Sequence, residues 1–191
     1  VWIPVDPCYV FHTVNAYDRA DGRVVLDVVV HDRMFSDSKS GPDSRRSGLE
    51  RWILDPATRT VEQVTLDPTP QEFPRPDERR IGQPYRYAYT MALTGAFLGA
   101  GLLKHDLETG ARQVHDFGPD RHPGEFVFVP AHAGAEEDEG WLIGLVVDAR
   151  AETSELVILD ARDFEGAPQA SIRLPHRVPP GFHGNWVPRQ R

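Results

Sequence analysis

A single cysteine, Cys8, stands in the 191 residues. It excludes an internal disulfide framework and a Cys-rich zinc site. That scarcity suits a reducing compartment, so a cytoplasmic location is expected. Cys8 lies in an apolar stretch and reads as a buried structural thiol. Long apolar runs are missing too. Val24 to Val30, broken by Asp27, and Trp141 to Val147 fall far short of the roughly 18 to 20 residues of a membrane span. There is no basic excess: 21 Lys and Arg face 29 Asp and Glu, for a formal charge of -8. This excludes nucleic acid as a natural partner, because phosphates need a basic surface. Part of the acidity sits in Glu136-Glu137-Asp138-Glu139, which reads as a solvated loop tip. No Met opens the sequence, and no basic, apolar leader follows. The expectation is that the chain begins inside a longer protein.

Helical periodicity is also absent. Nowhere do apolar residues recur at helical spacing for three turns without an intervening Pro or Gly. What is present is the short strand. Arg23 to Val30 is β-branched and follows the turn pair Asp21-Gly22. Leu49 to Leu54, Val61 to Leu66, Gly101 to His105, Arg112 to Asp116, Phe126 to Val129, Trp141 to Val147, Glu155 to Leu159 and Ala170 to Leu174 follow. A last extended segment surrounds His183 to Val187. With 16 Gly and 17 Pro, the composition suits a loop-rich all-β protein of about a dozen strands.

Three segments rhyme: LERWILDPATRTVEQVTL, GLLKHDLETGARQVHDF and SELVILDARDFEGAPQASIRL. Each reads strand, Asp with a short turn, strand. They begin at Leu49, Gly101 and Ser154, a spacing near 50 residues, as in propeller blades. Three or four blades cannot close a ring, so residues 1–191 are expected to form roughly half of a larger propeller.

No HExxH or CxxC pair, GxSxG elbow, P-loop or GxGxxG is present. A site must therefore be assembled from distant segments. A ligand His should be held by packing, with a carboxylate within reach. Of eight histidines, His105 and His115 bracket one hairpin and read as solvated. His122 and His132 lie in polar loops. His31 ends an apolar strand and reads as exposed or capping, and His176 could line a pocket. His12 follows the apolar Cys8-Tyr9-Val10-Phe11 on a strand, and His183 sits in the Gly-flanked aromatic stretch Gly181 to Trp186, where the backbone approaches something closely. Glu72 and Glu125 are the matching carboxylates: a buried Glu must be paired, and an imidazole N–H or an arginine could pair it. From pattern alone, packing histidines and surface ion pairs remain open readings.

FHTVNAYD, QEFPR with the following Asp77-Glu78-Arg79, GEFVFVP and GFHGNW, in this order, resemble the carotenoid cleavage oxygenase family, which includes lignostilbene and apocarotenoid dioxygenases. LLKHDLETG and HDFGP resemble its bacterial members. The resemblance covers nearly the whole chain. It implies the C-terminal part of a seven-bladed β-propeller with Fe(2+) on its axis, held by four histidines, three of them hydrogen-bonded to glutamates. His12 matches the third ligand and His183 the fourth; Glu72 matches the carboxylate behind His12, and Glu125 that behind His183. The other two ligands and the third glutamate would precede Val1, so the isolated chain should be inactive.

The implied reaction is O2-dependent cleavage of a C=C bond in a carotenoid, apocarotenoid or stilbene, giving two carbonyl products. The substrate is an apolar polyene or stilbene, taken up through peripheral membrane contact at most. Phe11, Phe73, Phe182 and Trp186 would line its channel. The alternative is a non-catalytic propeller, a binding scaffold whose histidines only pack. A zinc hydrolase suffers from the lack of a nucleophile tied to a local zinc motif.

Overall fold

The computed structural model describes residues 1–37, 44–94 and 98–188. Its strands form three four-stranded antiparallel meanders, each in sequence order. The first holds β1 (Thr13–Asp18), β2 (Val24–His31), β3 (Ser47–Asp55) and β4 (Thr60–Asp67). The second holds β5 (Gln71–Pro76), β6 (Tyr87–Leu93), β7 (Gly99–Asp106) and β8 (Arg112–His115). The third holds β9 (Arg121–Pro130), β10 (Gly140–Asp148), β11 (Thr153–Asp160) and β12 (Ala170–Arg173). The only helical element among the described residues is one 3-10 turn, Glu78–Arg80.

The three rhyming segments are the hairpins β3-β4, β7-β8 and β11-β12. Their shared aspartate has a structural cause. Asp55 Oδ1 accepts from the backbone N–H groups of Ala57 and Thr58, at 2.9 and 3.1 Å. Asp106 Oδ1 accepts from Glu108 and Thr109. Asp160 Oδ1 accepts from Arg162 and Asp163. The side chain thus replaces turn carbonyls as acceptor, which makes Asp the favoured residue at that place.

Sheets pack face to face through apolar residues that no single sheet could bury. Between the second and third, Met91, Leu102, Phe126, Phe128, Leu142 and Phe164 form the largest core. Fully burying a side chain such as Phe164 contributes on the order of 1.5–3 kcal/mol. Val14, Leu49, Tyr85 and Ala88 join the first sheet to the second. Asp27, which interrupts the apolar run of β2, is completely buried. Arg51 meets it with two 2.8 Å hydrogen bonds, and the Tyr85 hydroxyl donates to it at 2.6 Å. Burial and this carboxylate push the Tyr85 pKa well up.

β1 meets β5, and β5 meets β9. The first strands of the three sheets therefore converge, which brings residues near their ends to one place.

Several expectations need correction. Cys8 is exposed; the stretch around it forms no regular strand among the described residues and is tied to β2 by the bridge from Tyr9 to His31 and the bond from the Val29 N–H to the His12 carbonyl. His12 lies one residue before β1, not on a strand. The segment around His183 to Val187 forms no strand; side chains hold it instead. The acidic run is not simply solvated. Glu137 accepts from the backbone N–H groups of Arg86 and Tyr87, and Asp138 pairs with Lys104 at 2.9 Å. Cationic and amide partners from the second sheet outweigh mutual repulsion within the run. β5 and β6 lie outside the strands read from the sequence. β5 contains Pro74 and Pro76 and has a register irregularity between Glu72 and Arg75.

Candidate metal centre

His12, Glu72, Glu125 and His183 come together. His12 precedes β1, Glu72 is in β5, Glu125 is in β9, and His183 lies on the segment after β12. The Nε2 atoms of His12 and His183 are 3.1 Å apart, although 171 residues separate them.

Each ring has a carboxylate behind it. Glu72 Oε2 accepts from His12 Nδ1 at 2.6 Å, and Glu125 Oε1 accepts from His183 Nδ1 at 3.2 Å. In a neutral imidazole that donates through Nδ1, Nε2 carries a lone pair. Two such lone pairs then face one another, which is unfavourable unless a cation or proton lies between them. Two nitrogens in neighbouring positions round one ion, each about 2.1 Å from it as in His–zinc bonds, would lie roughly 3 Å apart. Imidazole donors suit a transition metal such as iron, cobalt or zinc better than magnesium or calcium. The donor pair thus fits a metal. Among the described residues, no group of three or more His, Cys, Asp or Glu side chains could hold one.

Sequence pattern missed two supporting residues. His31, expected to be exposed or capping, is 0% exposed. Its Nε2 donates to Glu72 Oε1 at 2.7 Å. Glu72 is 1% exposed and also accepts from the N–H of Phe73 at 2.9 Å. Burial pushes its pKa up, but hydrogen bonds from His12, His31 and Phe73 outweigh that and hold it below the usual carboxylate range. Arg75 is the second. Its Nε and a terminal nitrogen donate to Glu125 at 2.8 and 3.1 Å. It also donates to the Gly184 carbonyl at 2.6 Å, while the Gly184 N–H donates to Glu125 Oε2 at 2.9 Å. The QEFPR motif contained Arg75. Nothing in the sequence placed it against Glu125.

Phe73 has a positive φ of 52°, a strained conformation for a bulky residue. It turns the ring against both histidines, with centroids 5.3 Å from His12 and 5.6 Å from His183. Phe11 stands beside His12 and His31 and is partly exposed. Phe182 and Trp186 are exposed and line a crevice of about 240 Å³ running past His183 and Glu125. A second, largely apolar crevice of about 200 Å³ adjoins it through Gly124, Leu145 and Gly181, with Phe73 in its wall. A third opening, lined by Phe11, His12, Glu125 and His183, lies on the same centre, so each of the four aromatics borders it.

Of the remaining histidines, His122 lines the second crevice together with Phe73. His105 and His115, expected to be solvated, are each 5% exposed. His105 is enclosed by Gln71 and Thr90. Burial pulls its pKa down to about 4. His115 Nδ1 donates to the Phe164 carbonyl. Hairpin position misled here because the neighbouring strand and sheet cover both rings. His122 Nδ1 donates to the Gly99 carbonyl, and His132 and His176 are exposed.

A family model described as retinal pigment epithelial membrane protein matches residues 1–188. The chain is 43% identical to a carotenoid cleavage oxygenase of Mycobacterium tuberculosis, over 98% of this chain and 39% of that protein. It is 36% identical to the apocarotenoid-15,15'-oxygenase of Synechocystis, over 97% of this chain and 40% of that one. It is 30% identical to resveratrol cleavage oxygenase 1 of Botryotinia fuckeliana, over 94% of this chain and 36% of that one. Among solved structures it resembles cobalt-substituted Synechocystis apocarotenoid oxygenase, with a TM-score of 0.89 and 35% identity. That match covers 97% of this chain and 40% of the other. The chain thus spans about two-fifths of the length of these relatives. The likeness agrees with three blades of a β-propeller, the architecture expected from the repeated hairpins.

Proposed function

Because the chain belongs to the retinal pigment epithelial membrane protein and carotenoid cleavage oxygenase family, we propose that it carries half of an Fe(2+) site, as the C-terminal portion of an oxygenase that splits an alkene. The observation that carries this reading is the convergence of the two Nε2 atoms at 3.1 Å, with a carboxylate behind each ring. His12 and His183 are the ligands on this chain, and two more would come from the rest of the protein. Bound there, Fe(2+) would supply O2 activation beside the substrate double bond. Each alkene carbon takes one oxygen atom of O2, so both atoms are consumed and no external reductant is needed.

The chain's own residues prepare this step. Glu72 and Glu125 fix the Nδ1–H tautomer of each ring, orient it and raise its basicity. Their negative charges offset that of the cation. Phe73 packs on both imidazoles and limits access of water. The adjoining crevices, mostly apolar in lining, suit the shaft of a polyene, an apocarotenoid or a stilbene.

Among the described residues no helix is long and apolar enough to cross a membrane. Peripheral contact with lipid would suffice for uptake of such a substrate.

The test uses the full-length protein. His12→Ala and His183→Ala should each lose most bound iron and all alkene cleavage, read by metal analysis and by chromatography of apocarotenoid and stilbene substrates. Stoichiometric iron and normal turnover in either variant would overturn the reading, and would favour a binding scaffold with packing histidines.

A further inference from the structure

Glu72 uses both its oxygens on imidazoles. Oε2 accepts from His12 at 2.6 Å, and Oε1 from His31 at 2.7 Å. His31 ends β2 in the first sheet, whereas Glu72 belongs to β5 in the second. The bond therefore spans two sheets, and both groups lie within 1% exposure. A carboxylate held at one oxygen can rotate about its last torsion, which is broad and soft. Held at both, and again by the N–H of Phe73, it has one orientation, and the direction in which it meets His12 is set.

We propose that His31 is a positioning residue for the metal centre. By clamping the far oxygen of Glu72 it fixes the plane and charge distribution of the carboxylate, and so the aim and donor strength of His12. This rests on the metal-centre reading and adds a residue to it. A purely structural role would predict lost stability if His31 were replaced, with ligand strength unchanged in whatever folded. A positioning role predicts that the metal itself senses the change. The two carboxylates would also be tuned differently: Glu125 is shared with the fixed positive charge of Arg75, and Glu72 with an imidazole. More electron density should remain for His12 than for His183.

The experiment uses the full-length protein loaded with cobalt(II), whose visible absorption reports its ligands directly. His31→Met removes the hydrogen bond while filling the space with an adaptable apolar side chain. His31→Gln keeps an N–H donor. Cobalt affinity is measured by competition with a chelator, alongside the absorption spectrum and the melting temperature. The Met variant should bind cobalt on the order of 10- to 100-fold more weakly, with shifted bands. The Gln variant should recover most of both.

Parent affinity and an unchanged spectrum in a folded Met variant would overturn the proposal. So would a Gln variant as impaired as Met. Should Met not fold, His31→Asn takes its place, since its amide is too short to reach Glu72, and the same outcomes apply. His12→Ala serves as the control. If it too binds cobalt normally, the metal centre is wrong. If it loses cobalt while the His31 variants do not, only the positioning role fails.

Discussion

Arg75 holds Glu125 through two hydrogen bonds, 2.8 and 3.1 Å, and with the same side chain holds the carbonyl of Gly184 at 2.6 Å. One guanidinium thus fastens both the carboxylate behind His183 and the backbone next to it. The segment around His183 forms no strand, so these bonds take the place of a ladder. A planar fork suits this task in a way that a lysine ammonium does not.

Arg75→Lys in the full-length protein should therefore weaken metal binding by on the order of 10- to 100-fold and make the segment around His183 more sensitive to limited proteolysis. His12 should be untouched. Parent affinity and parent digestion rates would show that Arg75 is only an ion-pair partner.

His105 gives the pH prediction. It is buried and its pKa is depressed from 6.5 to about 4. Between those values the unfolded chain binds a proton that the folded chain does not. Stability therefore rises with pH across that window and falls on acidification from about pH 6.5 towards 4. The loss attributable to this ring reaches about 3 kcal/mol at most, at 1.36 kcal/mol per pKa unit. His105→Gln keeps a polar side chain near Gln71 and Thr90 without the titration. Urea unfolding at pH 7.5 and pH 4.5 should show a smaller acid loss in this variant than in the parent. Equal losses would contradict the assignment.

Lys104 is the buried cation between the second and third sheets. It donates to Asp138 at 2.9 Å and to the Ala161 carbonyl at 2.8 Å, and lies 4.4 Å from the centre of the Tyr87 ring. Lys104→Met leaves Asp138 without its most buried partner, and breaking such a pair on one side costs about 3–5 kcal/mol. Lys104→Met with Asp138→Asn should recover part of it. A double-mutant cycle by chemical denaturation measures the coupling, and coupling near zero would mean the two act independently.

The sequence carried the architecture well because its signals were local. Asp55, Asp106 and Asp160 each build their own turn, so the hairpins and their near-50-residue spacing could be read without knowing what they pack against. The motifs around His12, Glu72, Glu125 and His183 are each short and continuous, so they single out segments that the fold then brings together. What failed was non-local. His31, His105 and His115 sit at strand ends or beside turns, and their burial depends on neighbouring strands and sheets. Arg75 meets Glu125 across 50 positions. Glu137 and Asp138 read as solvated from their acidic neighbours, and only the fold brings Arg86, Tyr87 and Lys104 to them. β5 was hidden because Pro74 and Pro76 argue against a strand, and the positive φ of Phe73 is tolerated only where surrounding structure enforces it.

Anomalous diffraction at the iron edge, on crystals of the full-length protein purified without chelators, tests the central claim most directly. The account predicts one strong peak within bonding distance of both His12 Nε2 and His183 Nε2, about 2.1 Å by analogy with His–zinc bonds, with Glu72 and Glu125 behind the rings and not in contact with the ion. A fully occupied peak elsewhere, or none between these rings in iron-loaded protein, would contradict it.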